Sequence, residues 1–263
     1  AFLDGVFIVK VPGPYLFELR VNQEDQDSRA GYDSLYSETS LSQIRSYYLW
    51  LMKVFQLPRQ GRFLDLACGA GELVRLAGQH GLQAVGVDIS ETVARRALPG
   101  LRPYGALAVS AGERLPFPSG CFDFVSNIGS LEHFNDPAQG AREMARLLKP
   151  GGRAFVLVPN TFSLLTTIWE AFTKGVTSAD RQPIQRYGAR LDWTLLLEQN
   201  GLKVRQTLRY ERPWPYYAPD WAYYLRRPKE LVRMLVSPLI PLNLSFCFLF
   251  ICERAELPAA EAR

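Results

Sequence analysis

The chain has 263 residues, of which 48% are hydrophobic and 21% charged. This composition supplies enough apolar residues for a buried core, so it excludes a largely disordered chain. The 30 basic and 26 acidic residues leave a formal charge of +4 that is spread along the sequence, which is too weak and too dispersed to indicate a nucleic-acid-binding protein.

The four cysteines and two histidines do not match a metal-binding or disulfide pattern. No two cysteines form a C-x-x-C pair, and only His80 and His133 are available to help them hold a metal. The sequence therefore predicts neither a metal site nor a disulfide framework. Residues 1–19 lack the basic start and apolar core of a secretory signal, so a cytoplasmic location is expected.

The first of three predicted parts, residues 1–60, is an extended arm followed by helices. Residues 1–22 are apolar and aromatic around a Pro-Gly-Pro turn, and residues 23–31 are polar, which predicts a short arm and a loop. Apolar residues recur at helical spacing over 32–56, so helices are expected to precede the main domain.

The second part, residues 61–160, alternates short apolar runs with amphipathic stretches. This alternation predicts an α/β fold with a doubly wound, mostly parallel sheet and a ligand site beyond the carboxyl ends of its strands. Strands are predicted at 63–67, 84–87, 106–110, 122–127 and 153–158, and helices at 71–80, 92–98 and 137–148.

The third part, residues 161–263, is predicted to complete the same domain. Helices are expected at 164–174 and 191–199, a loop through residue 183, and strands at 202–209 and 244–252, with an aromatic insert at 209–227 before the last strand. The apolar run 234–252 is long enough to cross a membrane, but Pro238 and Pro241 interrupt it. A loop that leads into a buried strand is therefore predicted in place of a spanning helix.

Residues 63–71, with the sequence FLDLACGAG, form the most informative segment. An apolar strand runs into a turn of small residues and then into a helix, so a ligand can approach the backbone, and the amides of the helix start favour a negatively charged group. Asp88 ends the next strand, where a carboxylate can accept hydrogen bonds from both hydroxyls of a ribose. The segment and Asp88 together predict a nucleotide-type ligand.

Four later motifs follow at regular intervals: AGERLPFP at 111–118, CFDFV at 121–125, LEHF at 131–134 and LLKPGG at 147–152. In this order, residues 63–160 resemble the class I S-adenosylmethionine-dependent methyltransferases of the small-molecule type, the group that includes ubiquinone and menaquinone biosynthesis enzymes. The resemblance implies a Rossmann-like seven-stranded sheet with an N-terminal helical lid. It also implies S-adenosylmethionine as cofactor, S-adenosylhomocysteine as product and a small-molecule methyl acceptor.

The resemblance also assigns cofactor-binding roles to individual residues. It implies that Asp65 orients the amino group of the cofactor and that Asp88 holds its ribose. The remaining assignments are Ala67, Gly69 and Gly71 beneath the cofactor, Ile89, Gly112, Glu113 and Arg114 around the adenine, Asn127 and Ile128 on the far wall, and Tyr32 and Tyr36 as an aromatic lid.

Two positions depart from the family pattern. Ala67 stands where many relatives have the first glycine of the turn, and Ala111 stands where relatives often have an aspartate that bonds the adenine. Glu113 or a backbone carbonyl is then expected to replace that contact. His133 is the first candidate for a general base, because imidazole titrates near neutral pH, and Asp220, Glu211 or a tyrosine of the insert come after it. The alternative role of His133 is that of a packed polar residue at a helix start.

Several features have a structural interpretation beside the functional one. Asp65 and Asp88 can each cap a helix or a turn. The insert 209–227 can cover the sheet edge or form a wall for a flat or lipophilic acceptor. The stretch 209–229 can also contact a membrane surface through Arg226, Arg227 and Lys229.

Two rival functions use the same kind of fold. A nicotinamide-dependent oxidoreductase needs a third small residue in the glycine turn, and Val74 occupies that position. A catalytically idle cofactor-binding or scaffold protein is the other rival, because Ala67 and Ala111 depart from the family pattern. The favoured prediction is methyl transfer to a small molecule, with lipophilic, quinone-like and sugar-linked acceptors all open.

Overall fold

The computed structural model describes residues 13–20, 32–33, 43–177 and 182–255. The strands of this part are β1 (Leu16–Arg20), β2 (Arg62–Leu66), β3 (Gln83–Asp88), β4 (Gly105–Val109), β5 (Phe122–Ile128), β6 (Leu148–Pro159), β7 (Ile184–Gly188), β8 (Leu202–Tyr210) and β9 (Cys247–Arg254). The α-helices are α1 (Arg45–Phe55), α2 (Glu72–His80), α3 (Glu91–Leu101), α4 (Pro137–Leu147), α5 (Trp169–Lys174), α6 (Arg190–Gln199), α7 (Ala218–Leu225) and α8 (Pro228–Val236).

Seven strands form the central sheet in the order β4-β3-β2-β5-β6-β9-β8. Neighbouring strands are parallel except at β9, which is antiparallel to both β6 and β8. The chain order reverses between β2 and β5, and open α/β sheets bind ligands beyond the carboxyl ends of the strands at such a point. The predicted doubly wound, mostly parallel seven-stranded sheet is confirmed.

The central strands β2, β5 and β6 are mostly buried on both faces because most of their residues are apolar on both sides. Phe63 packs with α1 and α2, whereas its neighbour Leu64 packs with α4 and α6 on the opposite face. Phe155 repeats this alternation in β6 and stacks on Phe55 of α1 with ring centroids 4.0 Å apart. Near-continuous apolar strands are typical of a parallel sheet covered by helices on both sides.

The prediction of a loop through residue 183 missed the strand that follows it. Residues of β7 pair antiparallel with β1, from Leu16 opposite Gly188 to Arg20 opposite Ile184, in a two-stranded ribbon outside the main sheet. The five residues of β7 include three polar ones, so neither apolar alternation nor a hairpin turn marks the strand. Pairing with a segment more than 160 residues earlier is what makes it a strand.

The aromatic insert is helical and is fastened to the start of α1. The Asp220 carboxylate of α7 accepts hydrogen bonds from the backbone N–H and the hydroxyl of Ser46, and the hydroxyl of Ser46 in turn accepts from the Tyr216 N–H at 2.8 Å. Ile44, the residue before α1, offers no side-chain cap, so a carboxylate distant in sequence satisfies the helix start.

Two other predictions concern single elements. The helix predicted at 164–174 is present, but its first part, Leu164–Ile168, is a π-helix that continues into α5. The final strand begins at Cys247, after the interruption by Pro238 and Pro241. Within the described ranges, no helix is both long enough and apolar enough to span a membrane.

Candidate active site

A cavity of about 1100 Å³ opens at the carboxyl edge of the sheet, beside the point where the strand order reverses. One half is formed by the segments that follow β2, β3, β4 and β5. The other half is formed by α1, the ribbon strand β7 and the start of the insert after β8. The first half is therefore built from consecutive strand ends, whereas the second half is built from segments that are far apart in the sequence.

The turn between β2 and α2 is held in left-handed backbone conformations. Gly69 has φ 51° and Gly71 has φ 72°, and the non-glycine residue Ala67 also has a positive φ of 58°. The Cys68 N–H donates to the carbonyl of Val87 at 2.9 Å, so the turn is fixed to the end of β3. Ala67 and Gly69 line the cavity. Alanine at position 67, where many relatives have glycine, therefore strains the backbone, because a side chain is disfavoured in left-handed conformations.

Asp65 lies in β2 with its carboxyl group buried beneath the turn, and it lines the cavity. Burial raises its pKa from the ordinary value of 3.8 to about 7, the charge of Asp88 acts in the same direction, and a hydrogen bond from the Ser126 hydroxyl lowers the pKa. That hydroxyl donates to Oδ1 at 2.6 Å. A carboxyl group that is costly to ionise in place is suited to a cationic ligand, which would stabilise its charged form.

Asp88 is anchored by two backbone amides at the end of β3. Oδ2 accepts from the Gly69 N–H at 2.8 Å and Oδ1 accepts from the Ser90 N–H at 2.9 Å. Burial raises the pKa of Asp88, and these two hydrogen bonds oppose that rise. Each carboxylate oxygen has a further lone pair, so the group is fixed in position and can still accept hydrogen bonds from a ligand.

Tyr32 and its neighbour Asp33 lie against this carboxylate end. The Tyr32 hydroxyl donates to Gln182 at 3.2 Å, and the Asp33 carboxylate accepts from the Thr92 N–H at 3.2 Å at the start of α3. Tyr32 lines the cavity, and its role in an aromatic lid stays a prediction. Tyr36 lies outside the described residues.

Gly112 and Glu113 line the cavity beyond β4, beside Phe134. A Cβ atom at Gly112 would lie 2.3 Å from the Cζ atom of Phe134, so a larger residue does not fit there without displacing the ring. The Glu113 carboxylate accepts from the Asn135 N–H at 2.9 Å and thus ties the edge of the cavity to the segment before α4. Phe134 was not predicted as a site residue, although it belongs to the LEHF motif.

His133 lies in a 3-10 turn, Leu131–His133, and its side chain is 7% exposed and lines the cavity. Its Nδ1 atom is bonded to the backbone carbonyl of Ile184 in β7, and its Nε2 atom lies 3.7 Å from the Glu132 carboxylate. A carbonyl only accepts hydrogen bonds, so Nδ1 carries the proton and the ring orientation is fixed. Nε2 is then the atom of the ring that can take a proton.

Arg186 holds the same turn from the other face of β7. Its buried guanidinium donates to the backbone carbonyls of Glu132, Phe134 and Asn135 and pairs with Glu18 of β1 at 2.7 Å. Bonds between a charged donor and carbonyl oxygens are stronger than neutral ones. The ribbon therefore positions the turn that bears His133, and the sequence motifs gave no sign of this support.

Aromatic rings form the wall opposite the predicted cofactor half, which is the half that the segments after β2, β3, β4 and β5 form. Tyr210 at the end of β8 contacts Tyr47 of α1 edge to face, with ring centroids 5.3 Å apart, and Phe246 at 6.3 Å. Burial raises the pKa of Tyr210 and of Tyr47, so both phenols stay neutral near pH 7. Arg212 and Tyr223 of the insert complete this wall.

Not every residue assigned by resemblance lies at the cavity. Ile89 and Ile128 line it together with those described above, whereas Gly71, Arg114 and Asn127 do not. Gly71 begins α2, Arg114 is exposed, and Asn127 is fully buried and donates to the Leu66 carbonyl at 3.3 Å. Their cofactor contacts remain predictions.

Residues 64–156 match the family model described as a methyltransferase domain. The chain is 34% identical over 135 residues to the ubiquinone/menaquinone biosynthesis C-methyltransferase of Proteus mirabilis, covering 48% of this chain and 53% of that protein. It is 36% identical over 115 residues to the 27-O-demethylrifamycin SV methyltransferase of Amycolatopsis mediterranei, covering 39% and 42%. The matched segments thus span about half the length of these curated relatives.

Solved structures share the fold over a larger part of the chain. In the Haloferax volcanii complex of the Trm112 methyltransferase activator with a methyltransferase, one chain superposes with a TM-score of 0.62 at 17% identity, over 87% of this chain and 96% of that one. In this fold a buried carboxyl group, an amide-anchored carboxylate and a glycine turn border one cavity. The chain is thus similar to methyltransferases in sequence over residues 64–156 and in fold over most of its length.

Proposed function

We propose that the protein transfers a methyl group from S-adenosylmethionine to a small molecule. The proposal rests chiefly on Asp65, Gly69 and Asp88, which border one end of a cavity whose other end has aromatic walls. Asp65 would bind the amino group of the cofactor, Gly69 would pass beneath it, and Asp88 would hold the ribose. A volume of about 1100 Å³ leaves room for an acceptor beside the cofactor.

When bound, S-adenosylmethionine supplies an electrophilic methyl group on a sulfonium sulfur, so that transfer breaks the sulfur–methyl bond, forms the acceptor–methyl bond and leaves the thioether. Aligning the acceptor in the cavity supplies much of the rate, because a held reactant does not lose its translational and rotational freedom at the reacting step. An acceptor that loses a proton needs a base. His133 Nε2 is our proposal for that base, and the Glu132 carboxylate at 3.7 Å would stabilise the imidazolium.

The choice of acceptor is guided by the cavity wall and by the named relatives. Rings from Tyr47, Tyr210 and Phe246 favour a flat or lipophilic molecule. The two relatives are named for quinone biosynthesis and for a rifamycin methyl ether. We therefore propose a lipophilic acceptor of a quinone-like or rifamycin-like kind, with a sugar-linked compound as the alternative.

Calorimetric titration with S-adenosylhomocysteine and, separately, with NADH tests the cofactor assignment. We expect S-adenosylhomocysteine to bind and NADH not to bind. Asp88→Ala should weaken the binding by about 1–3 kcal/mol, the loss of one or two hydrogen bonds to a charged acceptor. Glu198→Gln, an exposed change on α6, is the control and should leave the affinity unchanged. Binding of NADH alone would support the oxidoreductase and refute our proposal.

A screen of cell extracts with methyl-labelled S-adenosylmethionine then tests for transfer. Incorporation into an organic-soluble compound is expected, whereas no incorporation into any fraction would favour the catalytically idle cofactor-binding protein. With an acceptor in hand, His133→Asn should lower turnover while the affinity for S-adenosylhomocysteine is retained. Unchanged turnover would leave His133 with only its structural role beside Ile184.

We further propose that the insert contacts an anionic membrane surface peripherally. Trp214 and Trp221 are exposed and pack edge to face with ring centroids 5.5 Å apart, and Leu225 is 68% exposed. Arg226 and Arg227 follow directly and are exposed as well. Exposed aromatic and aliphatic side chains with adjacent cations are typical of interfacial helices.

Sedimentation with vesicles of phosphatidylcholine, with and without phosphatidylglycerol, tests this contact. We expect the protein to bind the anionic vesicles and the double variant Trp221→Ser and Leu225→Ser to lose most of that binding. Leu191→Ser removes an equally exposed leucine from α6 and serves as the matched control. Failure of the unaltered protein to sediment with anionic vesicles would refute the membrane contact without affecting the proposed methyl transfer.

A further inference from the structure

The half of the cavity formed by α1, β7 and the insert is called the acceptor half below. The side chain of Gln185 is a polar group in this half that the proposed function does not explain. It lies in β7, is 4% exposed and lines the cavity. Its Nε2 atom donates to the Arg186 carbonyl at 3.4 Å, and its Oε1 atom is buried with no hydrogen-bond partner among the described residues. A buried amide oxygen without a donor is destabilising, and native structures rarely tolerate one without a functional reason.

The position of Gln185 on the strand relates it to the candidate base. Ile184, the preceding residue, bonds Nδ1 of His133 through its carbonyl, and Arg186, the following residue, turns to the opposite face and holds the His133 turn. Tyr187 is two residues further along the strand and lines the cavity like Gln185, as expected for alternate residues on one face. The strand that fixes His133 thus also brings the side chain of Gln185 to the cavity wall.

We propose that Gln185 positions the methyl acceptor by accepting a hydrogen bond from one of its hydroxyl groups. This inference rests on the proposed methyl transfer and names the class of acceptor, a hydroxyl on a flat apolar framework. A single acceptor atom needs a single donor, which a hydroxyl provides, whereas an ammonium brings three donors and a charge. The tyrosine and phenylalanine rings of Tyr210, Tyr223 and Phe246 would contact the apolar framework.

The contact gives specificity as well as affinity. A molecule of the same shape without the hydroxyl would leave Oε1 buried and unsatisfied, and a site that bonds a hydroxyl discriminates strongly against an analogue that lacks it. Gln185 is therefore a positioning residue. Replacing it should alter the preference among acceptors while leaving the binding of the cofactor unchanged.

Two probes that differ in one donor test the inference. 2-Naphthol and 2-methoxynaphthalene are titrated into the protein loaded with S-adenosylhomocysteine. The unaltered protein should bind the naphthol about tenfold more tightly, the equivalent of one neutral hydrogen bond. Gln185→Met keeps the length of the side chain and removes the acceptor atom, so it should abolish this preference by weakening the naphthol alone.

Two further variants separate positioning from a structural effect. Gln185→Glu keeps an acceptor oxygen and should retain the preference. Gln206→Met makes the same replacement at an exposed position of β8 and should change nothing. Equal binding of the two probes by the unaltered protein, or a preference that persists in Gln185→Met, would overturn the inference. Failure to bind S-adenosylhomocysteine would instead count against the proposed function itself, so the two failures are distinguishable.

Discussion

Replacement of Asp65 by asparagine tests the electrostatic design of the cofactor half. Burial holds the pKa of Asp65 at about 7 in the free protein, whereas an ammonium group bound beside it would favour the ionised carboxylate. Cofactor binding should therefore expel the proton of Asp65. Asparagine has nearly the same shape and no proton to release, so Asp65→Asn isolates this effect.

The size of the effect follows from the pKa. At pH 6 a group with a pKa of 7 is about nine-tenths protonated, so binding should release about 0.9 proton per site. The α-amino group of the ligand, with an ordinary pKa of about 7.7–8.0, is already charged at pH 6 and contributes little. Between pH 6 and pH 7 the ionised fraction of Asp65 rises about fivefold, and the affinity for S-adenosylhomocysteine should rise by the same factor.

Calorimetry in buffers with different ionisation enthalpies measures the number of protons released. We expect a release close to one at pH 6 in the unaltered protein and in the control Glu198→Gln, and a value near zero in Asp65→Asn. Absence of proton release at pH 6, or equal release in Asp65→Asn, would refute the assignment of the cofactor's amino group to Asp65.

The same group predicts how the stability of the free protein varies with pH. The folded-state pKa of about 7 is above the ordinary value of 3.8, so the folded chain binds more protons than the unfolded chain between these pH values. The free energy of unfolding should therefore contain a contribution from Asp65 that decreases as the pH rises from about 4 to 7. Urea denaturation should show a smaller decrease in Asp65→Asn, and an identical pH dependence would contradict the raised pKa.

Three further substitutions test the packing around the cavity by urea denaturation. Ala67→Gly should raise the free energy of unfolding by about 1 kcal/mol, because glycine relieves the strain of a positive φ, and a loss of stability would contradict the strain. Gly112→Ala should lower the free energy of unfolding by about 1–3 kcal/mol through the clash with Phe134. The control Gly100→Ala adds a Cβ atom that meets no atom within 4 Å, so it should be neutral or stabilising. Equal effects of the two substitutions would refute the clash. Arg186→Met should lower the free energy of unfolding by about 2–4 kcal/mol, since it leaves three backbone carbonyls without their donor. A decrease below about 0.5 kcal/mol would show that these carbonyls find other partners.

The cofactor half could be predicted from the sequence because its determinants are local. The turn after β2 and the carboxylate at the end of β3 are each encoded by a few consecutive residues, and a parallel sheet brings successive strand ends to one edge. Asp65 and Asp88 accordingly line one cavity, and their cofactor contacts stay predictions. Asn127 at the end of β5 is fully buried and bonds the Leu66 carbonyl, and its predicted cofactor contact stays a prediction.

The acceptor half could not be predicted, because it is assembled by contacts between distant segments. β7 is a strand through its pairing with β1, and Asp220 joins the insert to Ser46 across 174 positions. Neither contact leaves a periodic or compositional mark on the sequence. The sequence left three roles open for the insert, a cap over the sheet edge, an acceptor wall and a membrane contact. In the structure Tyr223 of α7 lines the cavity while Asp220 caps α1.

The His133 turn links the two halves of the cavity. Its contacts show how the sequence of one half can change between relatives while that of the other half is kept. Its own motif follows β5 on the cofactor side, but the bonds that fix it come from Ile184 and Arg186 of the ribbon. A change in the ribbon can therefore move the candidate base or replace the acceptor contact of Gln185 without disturbing Asp65 or the glycine turn. On this argument, relatives that share the methyltransferase domain at residues 64–156 can act on different molecules, because the segments that select the acceptor lie outside it.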